Sequence, residues 1–335
     1  MPRFLLIQLK RIGDFILTAP AVQALRAAEP GAEIVMLVPA SVADLARCQP
    51  AVDRVIPYAT GRMNLETWTS ALAGEWDACL DFTGSDRSAL IAQLSRAQRR
   101  LGYKKFARGL RKMSLTDACE ASVRELHTVD FHLALVAELL GSPVQSPDGP
   151  SFRVPAAIAR SASARLAGQG IGAADRYAIL HPGTAREEKF WPAERWAEVA
   201  SHLHGAHGLK IAVTGAGDGL ETPHLEALRR LLRVPVVDLT GQLSLVELLA
   251  VISKCAVIAG VDSMAMHLAS LFAKPQVALF GPTNPYQWRA RHEQSCVITP
   301  KEDGPVKTFL PKMKKGAMQD IPVDRVTRAL DELIG

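Results

Sequence analysis

The sequence predicts an α/β chain made of two Rossmann-like domains, each a parallel sheet covered by helices, with the two sheets facing a cleft. Three observations carry that expectation. Short apolar runs alternate with helix-period stretches nearly throughout the 335 residues, which is the pattern of repeated strand–helix–strand units. The alternation breaks once, at the stretch GSPVQSPDGP over 141–150, which is rich in breakers and has no periodicity, and then restarts. The length suits two domains of ordinary size.

Taken in order, residues 4–9, 33–38, 54–58 and 78–82 read as buried parallel strands. Helical spacing occupies 21–28, 41–48 and 64–75, and a further helix is expected over 125–140. Beyond the linker, strands are expected at 177–181, 209–214, 236–239, 257–260 and 276–280, with helices at 192–204, 220–232 and 244–255. Ser244 and Glu247 have capping-box spacing, which marks the start of the last of these helices. The domains then run over 1–150 and 151–320. Residues 321–335 are amphipathic and are expected to form a closing helix able to pack back on the N-terminal domain. Residues 301–315 are basic and aperiodic, as a mobile loop would be.

Composition narrows the class. The chain is 48% hydrophobic and 22% charged, as soluble globular proteins are, and no apolar run approaches the ~20 residues that span a bilayer. Residues 1–10 read as a first buried strand and not as a signal peptide, because no small-residue cleavage site follows the apolar stretch. Cys48, Cys79, Cys119, Cys255 and Cys296 are odd in number and never spaced as Cys-x-x-Cys. Free thiols in a reducing compartment, the cytosol, account for them. The net charge of +5 is uneven: Arg87, Arg96, Arg99, Arg100, Lys104, Lys105, Arg108, Arg111 and Lys112 run from 87 to 116 without an acidic residue. Such a run is either a solvated face or a patch for an anionic partner. Tyr103 and Phe106 interleave with it, but no nucleic-acid motif does.

Several chemistries are excluded by motif. The glycines of Gly215-Ala-Gly217-Asp-Gly219 follow a strand with the wrong spacing for a dinucleotide fingerprint. There is no Walker A sequence, no His-Glu-x-x-His and no Asp-x-Asp pair to hold a metal diphosphate. His202, His204 and His207 fall at a helix end beside Gly205 and Gly208 and are expected to be a frayed terminus, not a metal cluster. No cofactor is expected.

Four segments at strand ends can carry chemistry. In Lys10-Arg11-Ile12-Gly13-Asp14, Gly13 allows a close approach of backbone to substrate. Asp14 near a helix start fits an N-cap, but two cationic neighbours would also keep its carboxylate ionised, as a general base requires. In His181-Pro-Gly-Thr184 through Lys189-Phe-Trp191-Pro192, Thr184 and Lys189 can offer a hydroxyl and an ammonium to a diphosphate, and Pro192 is expected as the first helical residue. Glu221, after the Gly215–Gly219 turn, can accept from ribose hydroxyls or be a solvated helix-start residue. In Gly260-Val-Asp262-Ser263-Met264-Ala265-Met266-His267, a strand runs into a helix. The free N–H groups of Ser263, Met264 and Ala265 suit a diphosphate, Asp262 suits sugar hydroxyls, and His267 either reaches the same pocket or packs.

Together these segments resemble glycosyltransferase family 9, the heptosyltransferases of lipopolysaccharide core assembly. The resemblance rests on Ile12-Gly13-Asp14 through Pro20, Leu180-His181-Pro-Gly-Thr184 with Lys189-Phe-Trp-Pro192, Asp238 through Leu245, Val261 through Ala269 and Ala278 through Thr283. It implies a metal-independent, inverting enzyme of GT-B architecture that moves a heptose from ADP-heptose to an anionic lipopolysaccharide core or lipid A precursor. By resemblance Asp14 is the base, Thr184 and Lys189 bind diphosphate with Lys189 neutralising the leaving group, Glu221 binds ribose, backbone near Leu243 borders adenine, and Asp262 contacts the donor sugar. Lys10, Arg11 and Arg87 are expected acceptor contacts. Met264 stands where family members often carry glycine and would narrow the sugar pocket. The implied place is the cytoplasmic face of the inner membrane, with the basic run touching it. Competing expectations are a same-fold transferase using another nucleotide sugar, a non-catalytic nucleotide-sugar-binding protein and a nucleotide-sugar epimerase.

Overall fold

Arg3–Ile7 forms β1, and every residue of it after Arg3 is buried. Burial on both faces is what a parallel sheet covered on both sides imposes on its central strands. The structure, a computed structural model, describes residues 1–59, 69–71, 74–147 and 149–335. It divides into two units, Met1–Arg153 and Val154–Gly335. The stretch just before the division stays with the first unit. Phe152 packs edge-on against Phe15 at 6.1 Å, and the Arg153 N–H donates to the Cys48 carbonyl at 2.7 Å.

In the first unit β1, β2 (Glu33–Pro39), β3 (Arg54–Tyr58), β4 (Ala78–Asp81), β5 (Arg99–Tyr103) and β6 (Asp117–Cys119) make one sheet in the order β3-β2-β1-β4-β5-β6. All its pairings are parallel. In the second unit β7 (Tyr177–His181), β8 (Lys210–Val213), β9 (Val236–Asp238), β10 (Val257–Val261), β11 (Gln276–Leu279) and β12 (Ser295–Ile298) repeat the plan in the order β12-β11-β10-β7-β8-β9. These pairings too are parallel. The α/β fold is therefore two sheets of doubly wound type.

β5, β6 and β12 were not expected from sequence. β5 lies inside the basic run, and its charges hid a buried strand. Leu101 and Tyr103 are in the core, with Tyr103 stacked on Phe131 at 3.8 Å and its hydroxyl 2.8 Å from His132 Nδ1. The run is thus no uniform solvated face. Arg99 pairs with Asp117 at 3.0 Å, Arg111 with Asp86 at 3.0 Å, and Lys104 with Glu120. The helices Asp86–Leu94 and Ala156–Gly168 were also unforeseen. The helix expected over 64–75 falls largely outside the described residues.

The closing helix Val323–Ile334 is built into the core of the second unit: Val326, Ala329 and Leu330 are buried together with Trp191, Trp196, Leu279 and Ile298. Apolar residues three and four apart make the stripe that this core covers. The segment leading to it is pinned as well, because Trp191 Nε1 donates to the Ile321 carbonyl at 2.9 Å. Residues 301–315 are tied down. Val306 N–H donates to the Val297 carbonyl at 2.8 Å, Asn284 Nδ2 to the Pro311 carbonyl at 2.8 Å, and the Arg289 guanidinium stacks 3.9 Å from the Phe309 ring centroid. Finally, His202 and His207 are not a frayed end. They lie within the helix Ala193–His207, and both bond to Asp331 of the closing helix.

Leu330 has no exposed surface, so Leu330→Ala should remove packing worth about 2–5 kcal/mol. The expected outcome is a lower calorimetric unfolding transition for this variant, whereas truncating the exposed Leu220 should leave the transition within experimental scatter.

Candidate active site

A parallel sheet wound this way changes direction beside its first strand. In the second unit that switch lies between β7 and β10, and loops leaving their carboxyl ends diverge to leave a crevice. The approach is close. A Cβ added at Gly260 would lie 2.7 Å from the Met266 sulfur and 3.1 Å from the His181 carbonyl oxygen. The ends of β7 and β10 therefore meet here with no side chain between them.

Two oppositely charged side chains are brought together at this point from residues far apart in sequence. β7 ends at His181, and the loop after it passes through the buried Thr184 to a short 3-10 turn, Glu187–Lys189. Lys189 Nζ donates to Asp262 Oδ2 at 2.6 Å and to the Asp262 carbonyl at 3.0 Å. Both side chains are nearly out of water, 12% and 8% exposed. Thr283, following β11, donates its hydroxyl to the same Oδ2 at 2.8 Å. An ammonium carries three donors, and Asp262 takes two of them.

Asp262 lies just past β10, and the helix Met264–Ser270 begins two residues later. Ser263 is extended at the N-cap position, yet its side chain makes no capping bond, and its buried hydroxyl oxygen has no partner. The N–H groups of the first helical turn, Met264 and Ala265 among them, thus have no cap from Ser263. Met264 is half-buried and Ala265 buried. His267, one turn on, is buried. Burial pushes its imidazole below the ordinary range, Asp262 acts to raise it and Lys189 to lower it, so the ring is neutral near pH ~7.

Glu221 is not a solvated helix-start residue. It is buried, and its Oε2 accepts from the N–H of Ala216 at 2.7 Å and of Gly217 at 3.4 Å. Burial raises its pKa, opposed by those two N–H bonds. A Cβ at Gly183 would stand 2.4 Å from this carboxylate, and one at Gly215 would stand 2.9 Å away. The glycines after β7 and β8 are what let the carboxylate into the turn. Leu243 is half-buried just before the expected capping box, in which Glu247 N–H donates to Ser244 Oγ at 3.3 Å and Ser244 N–H to Glu247 Oε2 at 2.9 Å. Pro192 stands one position before the helix, at its N-cap.

In the first unit the switch lies between β1 and β4, and its loops are also tied together: the Leu9 N–H donates to Thr83 Oγ1 at 2.7 Å. The helix after β1 begins at Ile12, earlier than periodicity suggested, with Arg11 as N-cap. Gly13 is therefore a helical residue, not a special backbone position, and Asp14 is in the first turn instead of capping it. A carboxylate there is favoured by the helix dipole. Burial raises the Asp14 carboxyl above its usual range, while the charges of Lys10 and Arg11 pull it down. Lys10 Nζ sits 5.2 Å from the Phe106 ring centroid. Arg87 is exposed on the helix after β4, its guanidinium 5.4 Å from the Tyr58 ring centroid.

Sequence reasoning gave no role to three residues beside these two switches. Thr283 holds Asp262. His181 Nδ1 lies 2.8 Å from Thr214 Oγ1 and links the ends of β7 and β8. Asp81 accepts from Thr83 N–H at 2.9 Å, Gly84 N–H at 3.0 Å and Ser88 Oγ at 2.8 Å, shaping the turn after β4. His181 and Asp81 end their strands and Thr283 stands four residues past β11, a signal visible in sequence but shared by many ordinary turn residues.

Residues 65–314 match glycosyltransferase family 9 (heptosyltransferase). A lipopolysaccharide heptosyltransferase 1 of Salmonella typhimurium is 27% identical over 299 residues, covering 84% of this chain and 89% of the relative. The crystal structure of a family 9 glycosyl transferase from Veillonella parvula superposes with a TM-score of 0.85 at 21% identity, over 99% of this chain and 97% of that one. E. coli heptosyltransferase WaaC, solved with ADP-2-deoxy-2-fluoro heptose, gives a TM-score of 0.74 at 22% identity, over 98% and 99% of the two chains. Those structures share this fold, and the match across residues 65–314 settles the kinship: the chain belongs to glycosyltransferase family 9, the heptosyltransferases.

Proposed function

We propose that the chain transfers a heptose from ADP-heptose to an anionic acceptor of the lipopolysaccharide core, inverting the anomeric carbon. The observation that carries this reading is the buried Lys189–Asp262 pair at the β7–β10 switch, beside a helix start that Ser263 leaves uncapped. Removing two ions from water costs several kcal/mol each, and apolar residues would serve packing as well or better. A pair retained at the crevice where such folds bind nucleotides fits ligand recognition. The donor follows from kinship with heptosyltransferases, one of them solved with an ADP-heptose analogue.

In this reading the third N–H of Lys189, the Thr184 hydroxyl and the N–H groups of Ser263, Met264 and Ala265 face the diphosphate. Asp262 and His267 address the sugar, Glu221 the ribose, and the backbone at Leu243 the adenine. Met264 narrows the sugar side. Asp14 accepts the proton of the acceptor hydroxyl as its oxygen bonds to the anomeric carbon. The bond from that carbon to the diphosphate breaks, and ADP leaves with the electron pair, its growing charge met by Lys189. Positioning and charge stabilisation account for most of what such a transfer asks of a protein. Gly13, Lys10, Arg11 and Arg87 line the acceptor side, where the cations meet its phosphates or carboxylates.

Asp14→Asn tests the base. Turnover should fall about 10²–10⁴-fold, while stabilisation by ADP, about 2.7 kcal/mol at a hundred times its Kd, should persist. Loss of neither would remove Asp14 from the reaction. Loss of ADP stabilisation in the wild type, or a preference for UDP or GDP, would discard the donor. Product formed without acceptor would mark an epimerase.

The raised pKa of Asp14 also gives a pH signature. Its active, ionised form accumulates at a higher pH than an ordinary carboxylate's would, so the acid limb of the rate profile should be displaced upward and be absent in Asp14→Asn. A carboxyl raised on folding favours the folded state fully below its unfolded pKa and loses that contribution as pH rises through the folded value. Asp14→Asn should therefore unfold at the same or higher temperature than wild type near pH ~7.

The chain is further proposed to work against the cytoplasmic face of the inner membrane. No described helix is long and apolar enough to cross a bilayer. The helix Leu110–Ser114 exposes Leu110 and Met113 beside the exposed Arg108 and Lys112, a mixture suited to an anionic surface. Vesicles containing anionic lipid should retain the protein at low salt and release it at high salt. Failure to bind at low salt would end this part of the proposal.

A further inference from the structure

The helices Ala193–His207 and Val323–Ile334 meet through an unusual contact: two imidazoles converge on one carboxylate oxygen. His202 Nε2 lies 2.7 Å and His207 Nε2 2.6 Å from Asp331 Oδ1. The two rings are 5.8 Å apart at 69°. All three atoms fall within 4.8 Å of one another, and the side chains are 30%, 19% and 44% exposed. Water can reach the cluster, but none of its members is free to swing in open solvent.

We propose that His202, His207 and Asp331 form a binding site for a divalent transition-metal cation of the zinc type, joining the closing helix to the helix that follows β7. Two imidazole nitrogens and a carboxylate oxygen are a donor set taken by Zn²⁺ and its first-row neighbours and not by Mg²⁺ or Ca²⁺, which prefer oxygen. Metal–donor bonds of about 2.0–2.1 Å at tetrahedral angles separate neighbouring donors by about 3.3 Å. The two contacts to Asp331 need to open by only about 0.6 Å to reach that spacing. At present each Nε2 carries hydrogen toward Oδ1. The cation takes Nε2 in place of that hydrogen, whose proton moves to Nδ1 or to solvent. Solvent supplies the fourth position.

The site is separate from the transfer chemistry. The helix Ala193–His207 starts beyond the carboxyl end of β7 and ends just before β8 begins at Lys210. Its last turns therefore lie at the amino edge of the sheet, the edge opposite Lys189 and Asp262. The cation is a clamp on the closing helix, whose core residues Val326, Ala329 and Leu330 complete the second unit.

The test uses the full chain without a histidine tag. Titration with Co²⁺ should produce visible ligand-field bands from one ion per chain, abolished by adding Zn²⁺. Zn²⁺ should raise the unfolding temperature where equal Mg²⁺ does not. The double variant His202→Gln, His207→Gln places an amide donor near each lost Nε2, keeping bonds to Asp331 while removing two metal ligands. It should unfold near the metal-free wild type but bind Zn²⁺ at least about tenfold more weakly. Absence of a one-to-one Co²⁺ spectrum, or Zn²⁺ binding unchanged in the double variant, would overturn the proposal and leave a hydrogen-bonded clasp. If the variant is too unstable to assay, Asp331→Asn serves in its place, with the same loss of Zn²⁺ affinity expected and its retention counting against the site.

Discussion

Each sheet begins at its centre. Because β1 and β7 are laid down first and the chain then winds away on one side before crossing to the other, each acquires a neighbour, β4 or β10, that arrives much later in sequence. Right-handed crossovers leave few alternatives once strands are parallel. The loops leaving those two neighbours diverge, and the polar groups that follow them have no sheet above them. In the second unit Lys189 and Asp262 fill this place; in the first, Asp14 and Asp81 lie on the segments that leave β1 and β4. The candidate site of each unit is thus a consequence of winding order.

The polar groups at these ends are held by local devices that apolar packing could not provide. Asp262 Oδ2 is shared between Lys189 and Thr283, so a carboxylate nearly out of water keeps two donors and its orientation. Glu221 is seated by backbone N–H groups and by the missing side chains of Gly183 and Gly215. Gly217, at φ +74°, would place a Cβ 3.0 Å from the Gly241 nitrogen, so any other residue there faces both strain and crowding. Asp14 is balanced differently. Burial opposes its charge, and two cations with the start of a helix favour it. A carboxylate held between those influences is better suited to accepting a proton than one fully solvated.

Beneath the sites, the second unit is completed from the far end of the chain. Trp191, on the loop that carries Lys189, is fully buried, stands edge-on to Trp196 at 4.9 Å and bonds to the carbonyl of Ile321. The same indole therefore anchors the lysine loop and the approach to the closing helix. The apolar stripe of the closing helix is thereby buried in the core of the second unit.

The sequence by itself determined the α/β class, the repetition of the Rossmann-like plan, most central strands and the strand-end placement of Asp14, Lys189, Glu221 and Asp262. These are legible because continuous apolar runs, helical periodicity and glycine-rich turns are local patterns with local causes. It did not reveal β5, because Arg99 and Arg100 satisfy their charge through Asp117 and nearby carbonyls supplied from elsewhere. Nor could it show that Lys189 and Asp262 share a proton-donating contact, that Glu221 is buried, or that His202 and His207 meet Asp331. Those contacts join residues between four and 129 positions apart. Only the tertiary structure decides them, because strand order and helix packing, not spacing along the chain, set which side chains come within hydrogen-bond reach.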